Sequence, residues 1–235
     1  MLTWLVSGFF SMNPWGALES RGFEQERIRQ QGTTPTFDSA LIRTIEELSA
    51  VEIPVDTVRV ELHVVNNHRF FVHWNAAGER GRLDESLASI GEFSREALFD
   101  AANRMRPTIS VEKAGWLDSD DAYYFSHHDE RPLPVFRIVY SDGERFYLDG
   151  LTGEIVYGVD RNERLYRWLH YALHRGDFTA AMRARPVWDA IMLPLMLGVS
   201  ISALTGAWMG LRRVRRWYVS SGKSAAVSAS VADMP

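Results

Sequence analysis

There is no cysteine among the 235 residues, which excludes disulfides, thiolate metal sites and cysteine nucleophiles together. The absence leaves the compartment open, because oxidising compartments also hold cysteine-free proteins. Common hydrolase and nucleotide-enzyme signatures are missing as well: no H-E-x-x-H, no G-x-S-x-G and no glycine-rich phosphate loop occur. A broad basic surface is also lacking. The net charge is −4, and Arg212, Arg213, Arg215, Arg216 and Lys223 against Asp233 give the last segment +4, so the remainder carries −8. An acidic body with a short basic tail argues against nucleic acid as a partner, since phosphates require an extended basic face. At 46% hydrophobic and 24% charged residues the sequence is still that of a globular protein. Its length suffices for one large domain, or two small ones and an anchor.

What the chain does have is a long uncharged run. "AIMLPLMLGVSISALTGAWMGL", residues 190–211, lies between Asp189 and Arg212. As a helix its 22 residues rise about 33 Å, close to the hydrocarbon thickness of a bilayer. Pro194 falls in the first turn, where a missing N–H does little harm, and Trp188 and Trp217 flank the run as interface anchors. The expectation is a transmembrane helix over 188–212. "RRVRR" puts its end in the cytoplasm by the positive-inside rule, and the body then faces outward, into the periplasm of a Gram-negative cell. Residues 213–235 read as a basic, then disordered, cytoplasmic tail. Gly198, Ser202, Gly206 and Gly210 recur every four residues and form a stripe on which a second helix packs closely, from another copy or from an envelope protein, with lipid around the rest. At the other end "MLTWLVSGFF" is apolar but spans only about half a bilayer. Residues 1–12 read either as part of a first membrane helix or as a short apolar lead docked in the interface.

Between these segments the pattern is α+β. Residues 38–49 place Leu41, Ile45 and Leu48 at helical spacing after Asp38, a candidate N-cap. "VRVELHVVNNHRFFVHW" then alternates as a hairpin. A three-residue loop Asn66-Asn67-His68 would align Val64 with Phe70, Leu62 with Val72 and Val60 with Trp74, whereas a two-residue loop would set Val64 opposite Arg69. The first register leaves Glu61 paired with His73 on the outer face, with His63 and His73 toward solvent. A second helix is expected over 94–105, capped by Ser94, followed by the strands of "PVFRIVYSDGERFYLDGLTGEIVYG". Asp142-Gly143 suggests a tight type I′ turn, and Gly150 and Gly153 bracket another. Two helix-plus-antiparallel-sheet units, 38–80 and 94–158, thus fill residues 20–160. Asp118, Asp120 and Asp121 read as a solvated turn, since EF-hand spacing is not met.

"FRIVYSDGERFYLDGLTGEIV" resembles the strand-pair end of a PepSY domain, in which an aspartate-x-x-x-Gly turn closes the last hairpin. "RLYRWLHYALHRGDF", then "RPVWD" and an apolar span ending in Arg pairs, is similar to the PepSY-associated transmembrane family, and "WLVSGFF" looks like the outward end of that family's first membrane helix. The resemblance is carried by the order of elements, most strongly from Tyr123 to Arg216. It implies a bacterial inner-membrane protein with an outward-facing PepSY module that binds or modulates an envelope partner without catalysis. Some longer relatives are iron-uptake reductases, whose membrane-side histidines hold haem and pass electrons to a ferric siderophore. That alternative would give His170 and His174 to haem, although this chain has one complete span where such a bundle needs several.

The two histidines are four residues apart, hence on one face of a helix. At 100° per residue Leu165, Trp168, Leu169, Ala172 and Leu173 form the apolar face of an interfacial helix over 163–185 with its linker, and His170 and His174 lie opposite, beside Arg167. They are ligands or simply the polar side of that helix. "SHHDERPLP" offers a second candidate in His127 and His128, whose imidazoles, with Asp129 and Glu130, suit a divalent metal.

Overall fold

Strand β1 (Thr57–Val65) turns back into β2 (His68–Asn75) through Asn66 and Asn67, which both adopt the left-handed conformation, with φ of 54° and 65°. Asparagine tolerates that region, and two such residues make the tight turn whose twist matches a hairpin. The computed structural model describes residues 2–32, 42, 46, 56–126 and 131–232. The helix expected over 38–49, with its Asp38 cap, falls outside the described residues apart from Ile42 and Glu46.

The hairpin register differs from the three-residue expectation. His63 pairs with Phe70, Leu62 with Phe71, Glu61 with Val72 and Val64 with Arg69. Two facts decide for it. The turn amides of Asn66 and Asn67 donate to the carbonyls of Gln30 and Gln31, at the end of helix α2 (Glu24–Gln31). Both faces of the hairpin also have apolar cover, so no strictly apolar face was needed. Val65, Phe70 and Val72 pack with Leu151 on one side, and Phe71 packs with Leu83 on the other. Strands β3 (Arg80–Leu83) and β4 (Ser89–Ile90) complete an antiparallel meander in the order β1-β2-β3-β4.

A second meander of the same kind follows. Helix α3 (Arg95–Met105) begins where Ser94 Oγ accepts the amide of Ala97. Strands β5 (Val111–Leu117), β6 (Val135–Tyr140), β7 (Arg145–Asp149) and β8 (Ile155–Val159) lie in that order. Leu98, Ala102 and Met105 of α3 cover Phe136, Ile138, Tyr140, Phe146 and Leu148, which alternate along β6 and β7. The opposite face buries Tyr124, Val135, Tyr147 and Val159. The β6–β7 turn is not type I′: Tyr140 O accepts the amide of Gly143, and only Gly143 has positive φ, 82°. This is a type I turn followed by a left-handed glycine. Asp121, expected in a solvated turn, instead accepts the amides of Tyr123 and Tyr124 and the Tyr147 hydroxyl.

The β7–β8 turn joins these parts. Asp149 accepts the amides of Leu151 and Thr152 at 2.8 and 2.9 Å and the Arg80 guanidinium at 2.8 Å. Phe93 donates its amide to Gly150 O, and the Gln30 side chain donates to Gly153 O. Gly153 has φ +70°, and a Cβ there would lie 3.1 Å from both Phe93 and Val65, so both shape and backbone favour glycine.

The chain divides into two compact units, residues 9–169 and residues 1–8 with 170–235. The sheets belong to the first. Near its end lies α4 (Arg161–Tyr166), after which residues Arg167–Ala172 are π-helical and Leu173–Arg175 return to α geometry. The other unit includes α5 (Ala180–Arg183) and α6 (Val187–Ala232), and α1 (Leu2–Ser11) supplies its N-terminal residues. Within α6, Val187–Trp217 is 31 residues long and apolar enough to cross a membrane. The helix continues to Ala232, beyond the Arg212 end of the expected span and through the stretch expected to be disordered. That stretch is rich in alanine, the strongest helix former.

Replacing Asp149 with Ala removes one acceptor from two amides and leaves Arg80 without its partner. A loss of about 2–4 kcal/mol is expected from the scale of charge-assisted bonds and broken buried pairs. Chemical denaturation of the full chain in detergent measures it.

Candidate functional site

Three constellations carry chemistry. The first is a groove of about 630 Å³ in the unit of residues 9–169, between the first sheet and α3. Phe70 on β2 and Arg82 on β3 share a sheet face, because Val72 pairs with Arg82. Phe93, Ala97, Asp100 and Arg104 bring the opposite wall, the last three spaced along one face of α3. The Arg82 guanidinium carbon stands 3.9 Å from the centre of the Phe93 ring and 5.3 Å from that of Phe70. Arg82 is only 9% exposed, and its Nε and Nη1 have no hydrogen-bond partner among the described residues. Burial pushes its pKa down, with the Glu92 carboxylate opposing the shift. Arg69 is engaged by Glu85 at 3.3 Å, and Asp84 caps its own loop through Ser86 and Ala88.

The second is His63, which the outer-face expectation placed in solvent. It is 8% exposed, stacked on Phe70 with ring centres 5.7 Å apart. Nδ1 lies 2.9 Å from Glu154 and Nε2 3.4 Å from Glu61. Burial opposes the charge on His63, but the Glu154 and Glu61 carboxylates outweigh it and raise the pKa above its ordinary value. His73, also expected in solvent, is half-buried and its Nδ1 has no partner among the described residues. The register accounts for both: His63 shares the face of Phe70, and His73 pairs with Gly81, where a Cβ would collide with the imidazole.

The third is the pair His170 and His174, in the unit of residues 1–8 and 170–235. Their rings are 5.2 Å apart and tilted by 31°. Both Nδ1 atoms approach Ser7 of α1, His170 at 3.3 Å from its carbonyl and His174 at 3.1 Å from its hydroxyl. Because the Ser7 hydroxyl also donates to Trp4 O, the consistent arrangement has both histidines donating through Nδ1. Trp4 Nε1 adds a bond to the His174 carbonyl at 2.9 Å. Burial lowers the His170 pKa, so the neutral imidazole is favoured there. The pair therefore rests on a helix, not on a free wet face. Arg167, expected beside it, is buried and donates to Ala122 O at 2.9 Å within the sheet-bearing unit. The π-helical turn explains the difference, since its i→i+5 bonds change the phase assumed at 100° per residue.

His127 and His128 lie outside the described residues. Among the described residues no three His, Asp or Glu side chains converge as a metal site. Gly198, Gly206 and Gly210 have open space where a Cβ would stand, and Ser202 returns its hydroxyl to Gly198 O. Gly198 and Ser202 line an apolar cleft of about 480 Å³ with Trp4 and Leu173. Arg82 and His63 carry no sequence motif; the signal for them is a polar residue on the strand face that also holds Phe70 and Val72, readable only once the register is known. Compared with family models, curated proteins and solved structures, the chain matches none of them.

The charged form of His63 is favoured in the folded state. Its stabilisation is complete below the ordinary value of 6.5 and disappears as pH rises through the raised folded value. The difference in thermal midpoint between the native chain and His63→Gln, measured in detergent, is expected to shrink from about pH 6 to about pH 9.

Proposed function

We propose that the chain is a membrane-anchored, outward-facing PepSY-like module of the bacterial inner membrane that binds or modulates an envelope partner and has no catalysis of its own. The observation that carries the reading is the exposure of the apolar helix. Only 6% of its most apolar window is buried, and Leu204 is 71% exposed. Such a surface needs lipid or another helix as its solvent. The small-residue stripe gives the helix a side on which a second helix, from a copy of this chain or from the partner, approaches closely. The Arg-rich end marks the cytoplasmic side, and the acidic body then faces outward.

A second reading is a haem-dependent electron-transfer component of ferric siderophore uptake. The Ser7 contacts favour it, because histidine ligands usually have the nitrogen that faces away from the iron fixed by a hydrogen bond. Haem would supply one-electron transfer. His170 and His174, whose rings lie 5.2 Å apart on one helix, are the residues that would hold it. Any further donor would come from a second protomer or the partner, since no other His, Asp or Glu cluster forms among the described residues.

Reporter fusions after Arg185 and after Lys223 are expected to be active on opposite sides of the membrane. Activity of both on one side overturns the anchor. An absorption spectrum of the purified chain after haem addition separates the two readings. A stoichiometric Soret band that disappears in His170→Ala or His174→Ala, with the fold retained, favours haem; a colourless chain favours the binding module.

A further inference from the structure

The groove beside α3 contains a buried guanidinium with two N–H donors that no acceptor among the described residues meets, and Glu92 acts on it only through its charge. Arg82 is fixed by two aromatic rings, Phe93 at 3.9 Å and Phe70 at 5.3 Å, which hold the guanidinium plane but satisfy none of its N–H donors. Nε and Nη1 are both unpartnered among the described residues, although the residue is only 9% exposed. On the helix wall the Nε of Arg104 is likewise buried and unpartnered. A buried donor without an acceptor is costly, and a buried unpaired charge more so. Among the described residues the groove therefore holds a guanidinium that would gain from an anion in the cavity it lines.

The same lining says which anion. Asp84, Glu85 and Asp100 also border the groove, with Arg69, Arg82 and Arg104. Three acids against three arginines leave little net positive charge for a dianion such as phosphate. A monoanion with two coplanar oxygens suits a guanidinium fork better. Val65, Ile90, Phe93 and Ala97 line the same groove with apolar surface, which suits an apolar body attached to the anion. We propose that this groove is a binding site for a carboxylate on an apolar body, with Arg82 as the carboxylate anchor and Arg104 as a second donor. The inference rests on the binding-module reading and gives its partner a chemical feature: a free carboxylate next to an apolar side chain, as at the C-terminus of a hydrophobic polypeptide. A small apolar acid offers the same chemistry, and the experiment separates the two sources.

The full chain is purified in detergent and titrated by calorimetry with Ac-Ala-Leu-Phe as the free acid and as the C-terminal amide, with 4-phenylbutyrate and 4-phenylbutyramide, and with inorganic phosphate. Each acid is expected to bind more tightly than its amide. Binding of the peptide acid above phenylbutyrate identifies a polypeptide terminus, and the reverse order identifies a small acid; both support the carboxylate site. Arg82→Gln is expected to weaken the acid by at least about tenfold, the scale of a lost charge-assisted pair. Arg82→Lys, which keeps the charge but not the fork, is expected to fall between. Arg104→Gln serves as the second variant if changes at Arg82 lower the thermal midpoint, and the acid–amide comparison needs no variant at all. The proposal is overturned if no acid binds, if amide and acid bind alike, if phosphate binds as well as the carboxylates, or if Arg82→Gln folds and binds unchanged. Any of these leaves the fusion test of anchoring untouched, and a failed fusion test leaves the titration in detergent interpretable.

Discussion

One short turn, Asp149 to Gly153, ties the first sheet, α2 and the start of α3 to the second sheet. The carboxylate of Asp149 organises the turn from inside by accepting two of its amides, and from outside by holding Arg80 of the first sheet. Burial works against its ionisation, but the amide and Arg80 bonds outweigh that and hold its pKa low. Leu151 from the same turn enters the cluster of Val65, Phe70 and Val72, while the carbonyls of Gly150 and Gly153 receive Phe93 and Gln30. A five-residue segment thus touches the first sheet, the start of α3 and the end of α2. Since the Asn66-Asn67 turn is bonded to the last carbonyls of α2, the register of the first hairpin is fixed from the same place.

In the second unit the apolar side chains of the long helix are mostly exposed. In the sheets, buried aromatics such as Phe136, Tyr140 and Tyr147 take their cover from within the chain. Along Val187–Trp217 most of the large apolar side chains are exposed, Met192 being buried, and the backbone polar groups are satisfied within the helix. His170 and His174 belong with this helix-rich unit, and their immediate partners come from the backbone and hydroxyl of Ser7.

Much of the architecture was legible in residue patterns where one principle acted alone. The Ser94 cap, the alternating β6 and β7, the aspartate-glycine turns and the apolar run each announce themselves locally, and the helix, strands and long helix follow at those places. The errors arose where two signals competed. Pairing apolar faces argued for a three-residue turn, but the positive φ of both asparagines and their bonds to α2 won, because the hairpin is covered on both sides. Helix α2 was not anticipated: "EQERIRQQ" has one aliphatic residue, and its buried positions are Glu26 and Gln30, held by polar partners. His63 and Arg82 were hidden for the same reason, since a polar residue on a strand reads as outward until the neighbouring element that covers it is known. For the histidine pair, helical spacing gave the common face, while the π-helical turn and the α1 contact lay beyond any local rule.

The two meanders are local structures, each strand pairing with the next, so either can form soon after its own residues are available. Their union is not local. Phe70 and Val72 must wait for Leu151, and Arg80 for Asp149, some eighty residues and nearly seventy residues further on. A chain made from its N-terminus therefore passes through a stage in which the first sheet is complete but its Phe70–Val72 face still lacks Leu151. At that stage the aromatic surface of β2 is open to any apolar segment nearby, including a neighbouring nascent chain. Arrival of a single five-residue turn closes that window, so the time spent exposed is set by the rate at which the second meander is made and folded.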